Sequence, residues 1–428
     1  MRFLLFGLIF GPMAFAQNIN IPDANLKTFL VFFYDTNTDG EISEAEAAAL
    51  TAPLDVSDQG IADLTGVEFF INIPQLNCSQ NTLTTLPDLS NLSSLTLLNA
   101  DDNQIATLPS LSALTSLEVL SLDTNELTDV PGLASLVNLE VLEVDNNLFT
   151  VLPDLSTLTQ LVILECDGNM LTGLPDLSNL TNLESLEAHT NAFTSIPDLS
   201  ALVNLISLEV DNNQLTQLPD LSQLVNLENL EVFNNQLTAI PSLSTLTKLI
   251  DLEVDGNRLT TLPDLSALTQ LEYLDLDHNF LKTIPDLSNL TSLVNLDCED
   301  NFLTEMPDLT GLVNLLDVSF GQNRITQLND FSNFFNLNRL DCDDNRLTEL
   351  PGLPASLNIL ICDHNFLTET SCDTLDGFTS NNLTQGLNWP GILPFLPNWP
   401  TENQWLFKRV EDLNDAEVGI YMLDCQNP

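Results

Sequence analysis

An asparagine recurs every 22 residues through most of this chain, and that period constrains the fold more than any other feature. A single unit of this length cannot bury its own leucines, so neighbouring units must stack into a solenoid. The glutamine at position 59 occupies the same place one step before the first asparagine, which gives about fifteen repeats. The recurring residues are Asn81, Asn103, Asn125, Asn147, Asn169, Asn191, Asn213, Asn235, Asn257, Asn279, Asn301, Asn323 and Asn345, with a shorter step to Asn365.

The stretch TKLIDLEVDGNRLTTLPDLSAL, from Thr247 to Leu268, shows what each unit does. Leu252 and Val254 alternate with polar residues, which predicts a short strand with two inward side chains. Asn257 follows at the turn, where its amide can bond backbone groups that would otherwise be buried without partners. Pro263 and the aspartate after it favour tight or 3₁₀ turns on the return path. The sequence therefore predicts an α/β solenoid with one parallel sheet on its concave side.

The pattern L-x-x-L-x-L-x-x-N-x-L resembles the leucine-rich repeat. The stretch from Leu174 to Asn191 resembles the 22-residue repeats of bacterial internalins, and the block IPDANLKTFL is similar to the start of exported leucine-rich-repeat proteins of Bacteroidetes. This resemblance implies a horseshoe with an EF-hand-like helical N-terminal cap and an irregular C-terminal cap. It also implies protein binding through the concave face, in a setting such as surface adhesion.

The first sixteen residues predict export. They carry a basic Arg2, an apolar run and the small-residue motif Ala14-Phe15-Ala16, which is typical of a signal peptide cleaved after Ala16. No later segment is long and apolar enough to span a bilayer. We expect a secreted, extracellular or cell-surface protein with four regions: the signal peptide at 1–16, a helical cap at 17–53, the repeats at 54–368 and a C-terminal cap at 369–428.

The seven cysteines fall into two groups. Five lie three residues before a repeat asparagine, where they are predicted to be small buried apolar side chains: Cys78, Cys166, Cys298, Cys342 and Cys362. Cys372 and Cys425 lie outside the repeats, and an exported chain would allow a disulfide between them.

The acidic stretch from Asp35 to Glu46 matches the twelve-residue loop of an EF-hand. Oxygen ligands at alternate positions can wrap one hard cation, and the glycine at position 40 permits the sharp turn. Apolar residues at helical spacing flank the loop on both sides. We expect one structural Ca²⁺, with a polar loop between two helices as the alternative. The predicted ligands are Asp35, Asn37, Asp39, Glu41, Ser43 and Glu46.

The formal net charge of −51 narrows the choice of partners. No Lys or Arg occurs between Lys27 and Lys248, so nucleic acid and anionic lipid, which need a basic surface, are poor partners for this chain. Cations and basic proteins are the natural counterparts. Catalysis is not expected, because the three histidines lie several repeats apart without a nucleophile beside them.

The residues between the inward ones are predicted to point from the sheet into the concave face. Counted from the asparagine, position −4 carries a carboxylate in eight successive repeats: Glu143, Glu165, Glu187, Glu209, Glu231, Glu253, Asp275 and Asp297. Position −2 adds further acids, among them Asp211, Asp255 and Asp277. Neighbouring strands lie about 4.8 Å apart, where two carboxylates repel by about 0.9 kcal/mol even in water.

Three interpretations of these acidic rows remain open. In the first, duplication copied one acidic unit and a salty habitat makes the resulting rows harmless, so they have no function. In the second, the rows bind a basic or cation-bridged protein. In the third, they hold several weakly bound Ca²⁺ ions. Phe233 and Tyr273 favour protein binding, because exposed aromatic residues are good anchors. Trp389, Trp399 and Trp405 lie in the C-terminal region, where they either seal the solenoid or stack on a glycan or peptide. A calcium-dependent structural or surface-layer component without a dedicated ligand is the alternative function.

Overall fold

A computed structural model describes residues 17–362, 364–367, 406–409 and 418–421. The chain divides into two compact units after Asn169. The first unit contains two helices, α1 (Ala24–Tyr34) and α2 (Glu44–Ala49), and two 3₁₀ turns, Val67–Phe69 and Leu133–Ser135. Its strands are β1 (Leu54–Asp55), β2 (Gln75–Asn77), β3 (Leu97–Asn99), β4 (Val119–Ser121), β5 (Val141–Glu143) and β6 (Ile163–Glu165).

The second unit continues the same architecture. Its strands are β7 (Ser185–Glu187), β8 (Ser207–Glu209), β9 (Asn229–Glu231), β10 (Asp251–Glu253), β11 (Tyr273–Asp275), β12 (Asn295–Asp297), β13 (Asp317–Ser319), β14 (Arg339–Asp341), β15 (Ile359–Ile361), β16 (Leu406–Arg409) and β17 (Val418–Tyr421). Within each unit, successive strands from β1 to β15 pair in parallel and in register, as Leu230, Leu252 and Leu274 do. β16 pairs in parallel with β15 and antiparallel with β17. The predicted leucine-rich-repeat solenoid is confirmed.

The core is a set of stacked leucine columns. In the repeat around Asn257, the side chains of Leu249, Leu252, Val254 and Leu259 are fully buried. One such layer is too small to exclude water alone, so each repeat depends on the repeats on either side of it. The five repeat cysteines belong to this core: they are buried and unbridged, as predicted.

The repeat asparagines form a hydrogen-bonded ladder beside the leucine core. The Asn257 amide nitrogen donates to the carbonyls of Val254 (3.1 Å), Asp255 (3.0 Å) and, one repeat back, Val232 (3.0 Å). Its amide oxygen accepts from the backbone N–H of Leu237 at 2.9 Å. Since Asn257 is only 4% exposed, the four bonds satisfy groups that water cannot reach. This explains why the asparagine is the fixed polar residue of the repeat.

The helices of the N-terminal region lie on the first repeats. Leu26 and Leu30 of α1 are fully buried, as is Ile42 of the loop between the helices. Asp23 caps α1 by accepting from the N–H of Leu26 at 3.0 Å, and its other oxygen accepts from the N–H of Ala62 at 2.9 Å. The region therefore covers apolar residues at the start of the solenoid, as a terminal cap must.

Candidate functional site

The outward side of the parallel strands, which we call the sheet face, carries the predicted acidic rows. Each position −4 carboxylate is the last residue of its strand, and within each unit neighbouring members of the row lie in register. Glu143 pairs with Glu165 in the first unit, whereas Glu231, Glu253 and Asp275 are successive partners in the second. All of the predicted −4 residues are half-buried, because the leucine layer lies directly beneath them. Partial burial strengthens the repulsion between like charges, since water screens them less.

The −2 row of the first unit is held by the backbone. The carboxylate of Asp101 accepts from the N–H of Asp123 at 2.8 Å, and Asp123 in turn accepts from the N–H of Asp145 at 2.7 Å. Asp145 continues the chain by accepting from the N–H of Asp167 at 2.8 Å. These aspartates are therefore parts of the scaffold as well as surface charges.

Burial and like charges raise the carboxyl pKa values in this row. The pKa of Asp123 rises to about 7, mainly because burial disfavours the charged form and also because Asp101 and Glu143 are close, although the bond from Asp145 opposes the shift. Burial and the adjacent Asp167 raise the pKa of Asp145 as well. Oxygens of Asp123, Asp145 and Glu165 lie within 4.8 Å of one another. These three carboxylates are close enough to share a proton or a cation.

The rows of the second unit show the same electrostatics. Burial raises the pKa of Glu231 and of Glu253 to about 7, helped by Glu209 and Glu253 on the neighbouring strands of Glu231 and by Asp251 and Asp255 in the repeat of Glu253 itself. The pKa of Asp275 is raised to about 7 and that of Asp255 to about 6, with burial as the main cause in both. The pKa of Asp277 is raised by burial and by Asp297 beside it, and oxygens of Asp275, Asp277 and Asp297 lie within 4.8 Å of one another.

A cleft of about 210 Å³ opens on the sheet face of the second unit. One wall holds the aromatic ring of Tyr273, which is 42% exposed. Oδ1 of Asp251 is buried and has no hydrogen-bond partner within the described part of the chain. At the far end, Arg339 donates to Asp317 at 3.1 Å and to Asp341 at 2.8 Å. The lining residues are Asp251, Glu253, Tyr273, Leu274, Asp275, Asn295, Leu296, Asp297, Asp317 and Arg339.

The cleft brings together only part of the predicted surface. Tyr273, Glu253, Asp275 and Asp297 line it, as a binding face requires. Phe233 is half-buried two repeats away and is not among the lining residues. Asp211 is only 3% exposed, so its carboxylate is hardly accessible to a partner.

Asp251, Asp317 and Arg339 were missed by the sequence analysis, although all three occupy position −6. That column starts with Gln75 and then runs through the apolar Leu97, Val119, Val141 and Ile163. Most of its later members are polar, and reading the column repeat by repeat would have found Arg339 next to Asp317 and two residues before Asp341. The change of position −6 from mostly apolar residues in the first unit to mostly polar ones in the second is what could have indicated these residues from the sequence.

The EF-hand-like loop has the predicted flanking helices and a tight turn at Gly40, where φ is 84°. The carboxylate of Asp35 accepts from the N–H of Gly40 at 2.8 Å, and the side chain of Asp39 accepts from the N–H of Glu41 at 2.9 Å. The side chain of Glu41 lies 2.7 Å from the Lys27 ammonium group. The order and type of oxygen donors fit a hard cation, with Glu41 contributing its backbone carbonyl.

Glu46 closes this loop. One oxygen accepts from the N–H of Thr36 at 2.9 Å and of Asn37 at 3.1 Å, and the other accepts from the N–H of Ser43 at 3.0 Å. Partial burial would raise its pKa, but the bonds from Ser43, Thr36 and Asn37 outweigh this and lower the pKa to about 2. To bind an ion through both oxygens, Glu46 would have to give up some of these hydrogen bonds.

Several predicted features lie outside the described residues. These are the signal peptide at 1–16, the Cys372–Cys425 disulfide and the three tryptophans of the C-terminal region. In the portion that is described, no helix has the length and apolar character needed to cross a membrane.

Comparison with known proteins places the solenoid in a family. The family described as Leucine Rich repeats (2 copies) matches residues 93–135, 247–289 and 269–311. YopM, a leucine-rich effector protein of Yersinia pestis, has a structure 33% identical in sequence that covers 74% of this chain and 78% of its own, with a TM-score of 0.56. This chain is a leucine-rich-repeat protein.

Two other solved structures are similar to this leucine-rich-repeat protein. The functional domain of the internalin InlJ from Listeria monocytogenes is 29% identical, with a TM-score of 0.67, and the match covers 85% of this chain and 75% of that one. A leucine-rich-repeat protein of Leptospira interrogans is 27% identical with a TM-score of 0.67, over 77% and 94% of the two chains. No curated protein matches the sequence. Leucine-rich-repeat proteins of the internalin and YopM type bind proteins, and the fold is typically a scaffold without catalytic activity.

Proposed function

We propose that this leucine-rich-repeat protein is a secreted, non-catalytic binding protein whose acidic sheet face takes a basic or cation-bridged protein partner. The cleft beside Tyr273 carries the proposal. It combines an exposed aromatic ring with the half-buried carboxylates of Glu253, Asp275 and Asp297. Aromatic residues next to desolvated charges are frequent anchors of protein interfaces.

The electrostatics supply the driving force. Because the pKa values of Glu253 and Asp275 are raised to about 7, ionising them in the free protein costs free energy. A Lys or Arg side chain entering the cleft would offset that cost and could stack on the ring of Tyr273. Such binding should weaken as salt is added, since salt screens both the repulsion and the attraction.

Calcium gives the alternative. The oxygens of Asp275, Asp277 and Asp297, and those of Asp123, Asp145 and Glu165, are close enough to share a cation. In this second proposal, weakly bound Ca²⁺ ions neutralise the rows, and the protein is a structural or surface-layer component without a dedicated ligand. Independently of this choice, we propose that one Ca²⁺ stabilises the loop from Asp35 to Glu46.

The experiment titrates the protein with an Arg- and Lys-rich peptide by calorimetry at several NaCl concentrations, with a Glu-rich peptide as the control ligand. We expect the triple variant E253Q/D275N/D297N to lose at least about tenfold in affinity. A matched variant, D154N/D176N/D198N, removes the same charge from exposed aspartates outside the sheet face and should bind as the unmodified protein does. Equal losses in both variants would mean that net charge, and not the cleft, attracts the peptide.

A second titration with CaCl₂ separates the alternative. Saturable uptake of several ions that the triple variant reduces, without any binding of the basic peptide, would favour the structural component. Peptide binding that persists in EDTA would favour the protein-binding proposal.

A further inference from the structure

One edge of the second unit carries an arginine–phenylalanine stripe in an otherwise acidic protein. We use that name for the residues that follow the repeat asparagine in five successive repeats: Arg258, Phe280, Phe302, Arg324 and Arg346. Their backbone is fixed by the solenoid, since each N–H bonds a carbonyl of the preceding repeat, as Phe280 does to Leu259 at 2.8 Å. The stripe therefore advances by one side chain per repeat.

The side chains of the stripe are ordered against one another. The rings of Phe280 and Phe302 stack with centroids 5.9 Å apart and an interplanar angle of 18°. The guanidinium carbon of Arg324 lies 4.4 Å from the centre of the Phe302 ring. Phe280 remains 45% exposed, so the stack presents apolar surface as well as charge. This contact restricts two side chains before any partner arrives, which lowers the entropic cost of binding.

The arginines of the stripe have no acidic partner within the described residues. Arg258, Arg324 and Arg346 are exposed and take part in none of the ion pairs found there. This is unexpected in a chain with 61 acidic and 10 basic residues. By contrast, Arg339 on the sheet face pairs with two aspartates. The arginines of the stripe therefore form a cationic surface without paired carboxylates in the described part of the chain, and their charge is complementary to carboxylates.

The same chain presents a carboxylate row with the same repeat. Position +7 from the asparagine, on the return path, carries an exposed aspartate in many repeats, and the run that belongs to the repeats of the stripe is Asp264, Asp286, Asp308 and Asp330. Each accepts a hydrogen bond from the N–H two residues later, as Asp264 does from Ser266 at 2.9 Å. These bonds lower the pKa of Asp264, Asp308 and Asp330, so these three carboxylates are ionised at neutral pH.

The order of groups along the two surfaces also corresponds. In the stripe, Arg258 and Arg324 are three repeats apart with two phenylalanines between them. In the row, Asp264 and Asp330 are likewise three repeats apart, and the half-exposed prolines 285 and 307 lie between them. The stripe presents one side chain per repeat, with 5.9 Å between the rings of Phe280 and Phe302, and the row likewise presents one carboxylate per repeat. A second copy of the solenoid can therefore keep in step with the stripe along several repeats.

We propose that the arginine–phenylalanine stripe of one molecule docks on the Asp264–Asp330 row of a second copy of this chain. Arg258 and Arg324 pair with aspartates at the two ends, while Phe280 and Phe302 pack on the prolines between them. The two surfaces differ, so one contact leaves a stripe and a row free, and association continues into longer chains unless a ring closes. The net charge of −51 opposes this contact, but salt at 0.15 M limits the repulsion to about 8 Å.

Sedimentation velocity of the full chain over a wide concentration range, at 0.15 M NaCl, tests the proposal. We expect the mean mass to rise with concentration, and both R258S/R324S and D264N/D330N to weaken association at least about tenfold. K248S removes a cation outside the stripe, and D102N/D129N removes two exposed acids outside the row, so both should associate as the unmodified protein does. Unchanged melting temperatures would show that the variants are folded.

Mixing the two double variants gives the decisive result. D264N/D330N retains an intact stripe and R258S/R324S retains an intact row, so together they should form a one-to-one complex that cannot grow. A protein that stays monomeric at every concentration would overturn the proposal. Association that survives R258S/R324S would overturn the role of the stripe, and a mixture without heterodimers would overturn the role of the row.

Discussion

The carboxylate of Asp123 accepts a hydrogen bond from the backbone N–H of Asp145, 2.7 Å away and one repeat further along the chain. This contact gives a surface acid a structural role, because its oxygen satisfies a backbone donor of the next turn. The same group has its pKa raised to about 7 by burial and by Asp101 and Glu143. Burial and the neighbouring charges favour the protonated form of Asp123, whereas the hydrogen bond from Asp145 favours the charged form.

Two substitutions separate these effects at pH 8. D123N keeps an oxygen acceptor and removes the charge, so we expect an unfolding free energy equal to or above that of the unmodified protein. D123A removes the acceptor and leaves the N–H of Asp145 unpaired, which should cost about 2 kcal/mol. Urea unfolding followed by circular dichroism measures both. Equal destabilisation by the two variants would show that the hydrogen bond is unimportant.

Stability should increase as the pH falls from 8 to about 5 at low ionic strength. The pKa values of Glu231, Glu253 and Asp275 are raised from 4.5 or 3.8 to about 7. For a raised pKa, the stability contributed by the group is complete below its unfolded value and is lost as the pH rises through the folded value. The pKa of Glu46 is lowered to about 2, so this group destabilises the protein as the pH falls below about 4.5.

Thermal melting in steps of half a pH unit measures this dependence. Adding about 1 M NaCl should reduce the slope between pH 5 and 8, because salt screens the repulsion between neighbouring carboxylates but leaves the effect of burial. A melting temperature that is constant or that falls from pH 8 to pH 5 would contradict the raised pKa values.

Glu231 should be a position at which removing a charge stabilises the protein. Because the group is about half exposed, the full shift is discounted for screening, and we expect E231Q to raise the unfolding free energy by about 1 kcal/mol at pH 7.5. The exposed Glu126 supplies the control, and E126Q should change stability by less than about 0.5 kcal/mol. The prediction fails if the two variants are indistinguishable in urea.

Calcium should raise the melting temperature of the N-terminal cap. Adding EDTA should lower that temperature in the unmodified protein, and D39N should reduce the response because it removes a charged oxygen ligand. E46Q is a poorer probe, since Glu46 also accepts hydrogen bonds from Thr36 and Ser43 without any ion. An unchanged melt in EDTA, with no heat of calcium binding, would show that the loop is a metal-free cap.

The asparagine ladder should be the most sensitive part of the scaffold. N257A removes the four hydrogen bonds of a side chain that is 4% exposed, and we expect a loss of about 3 kcal/mol or more. Q214A, in an exposed position, should have a small effect. Hydrogen exchange should locate the destabilisation in the repeats next to Asn257, because each repeat contacts only its neighbours.

The fold and the acidic rows follow from the sequence because period and burial are coupled in a solenoid. Leu252 and Val254 cannot face inward unless Glu253 faces outward, and the 22-residue register then places Glu231 and Asp275 on either side. The helices at Ala24–Tyr34 and Glu44–Ala49 were likewise predictable from local apolar spacing. Calcium binding and the identity of the partner stay predictions.

The sequence by itself determined the solenoid, the direction of each side chain and the helical cap, since all three depend on local periodicity. Only the tertiary structure decided which outward residues act together. It showed that Asp123 bonds the backbone of the next repeat, that Arg339 closes one end of the cleft beside Tyr273, and that Arg324 stacks on Phe302. These relationships depend on side-chain conformation and burial between turns, which repeat spacing does not specify.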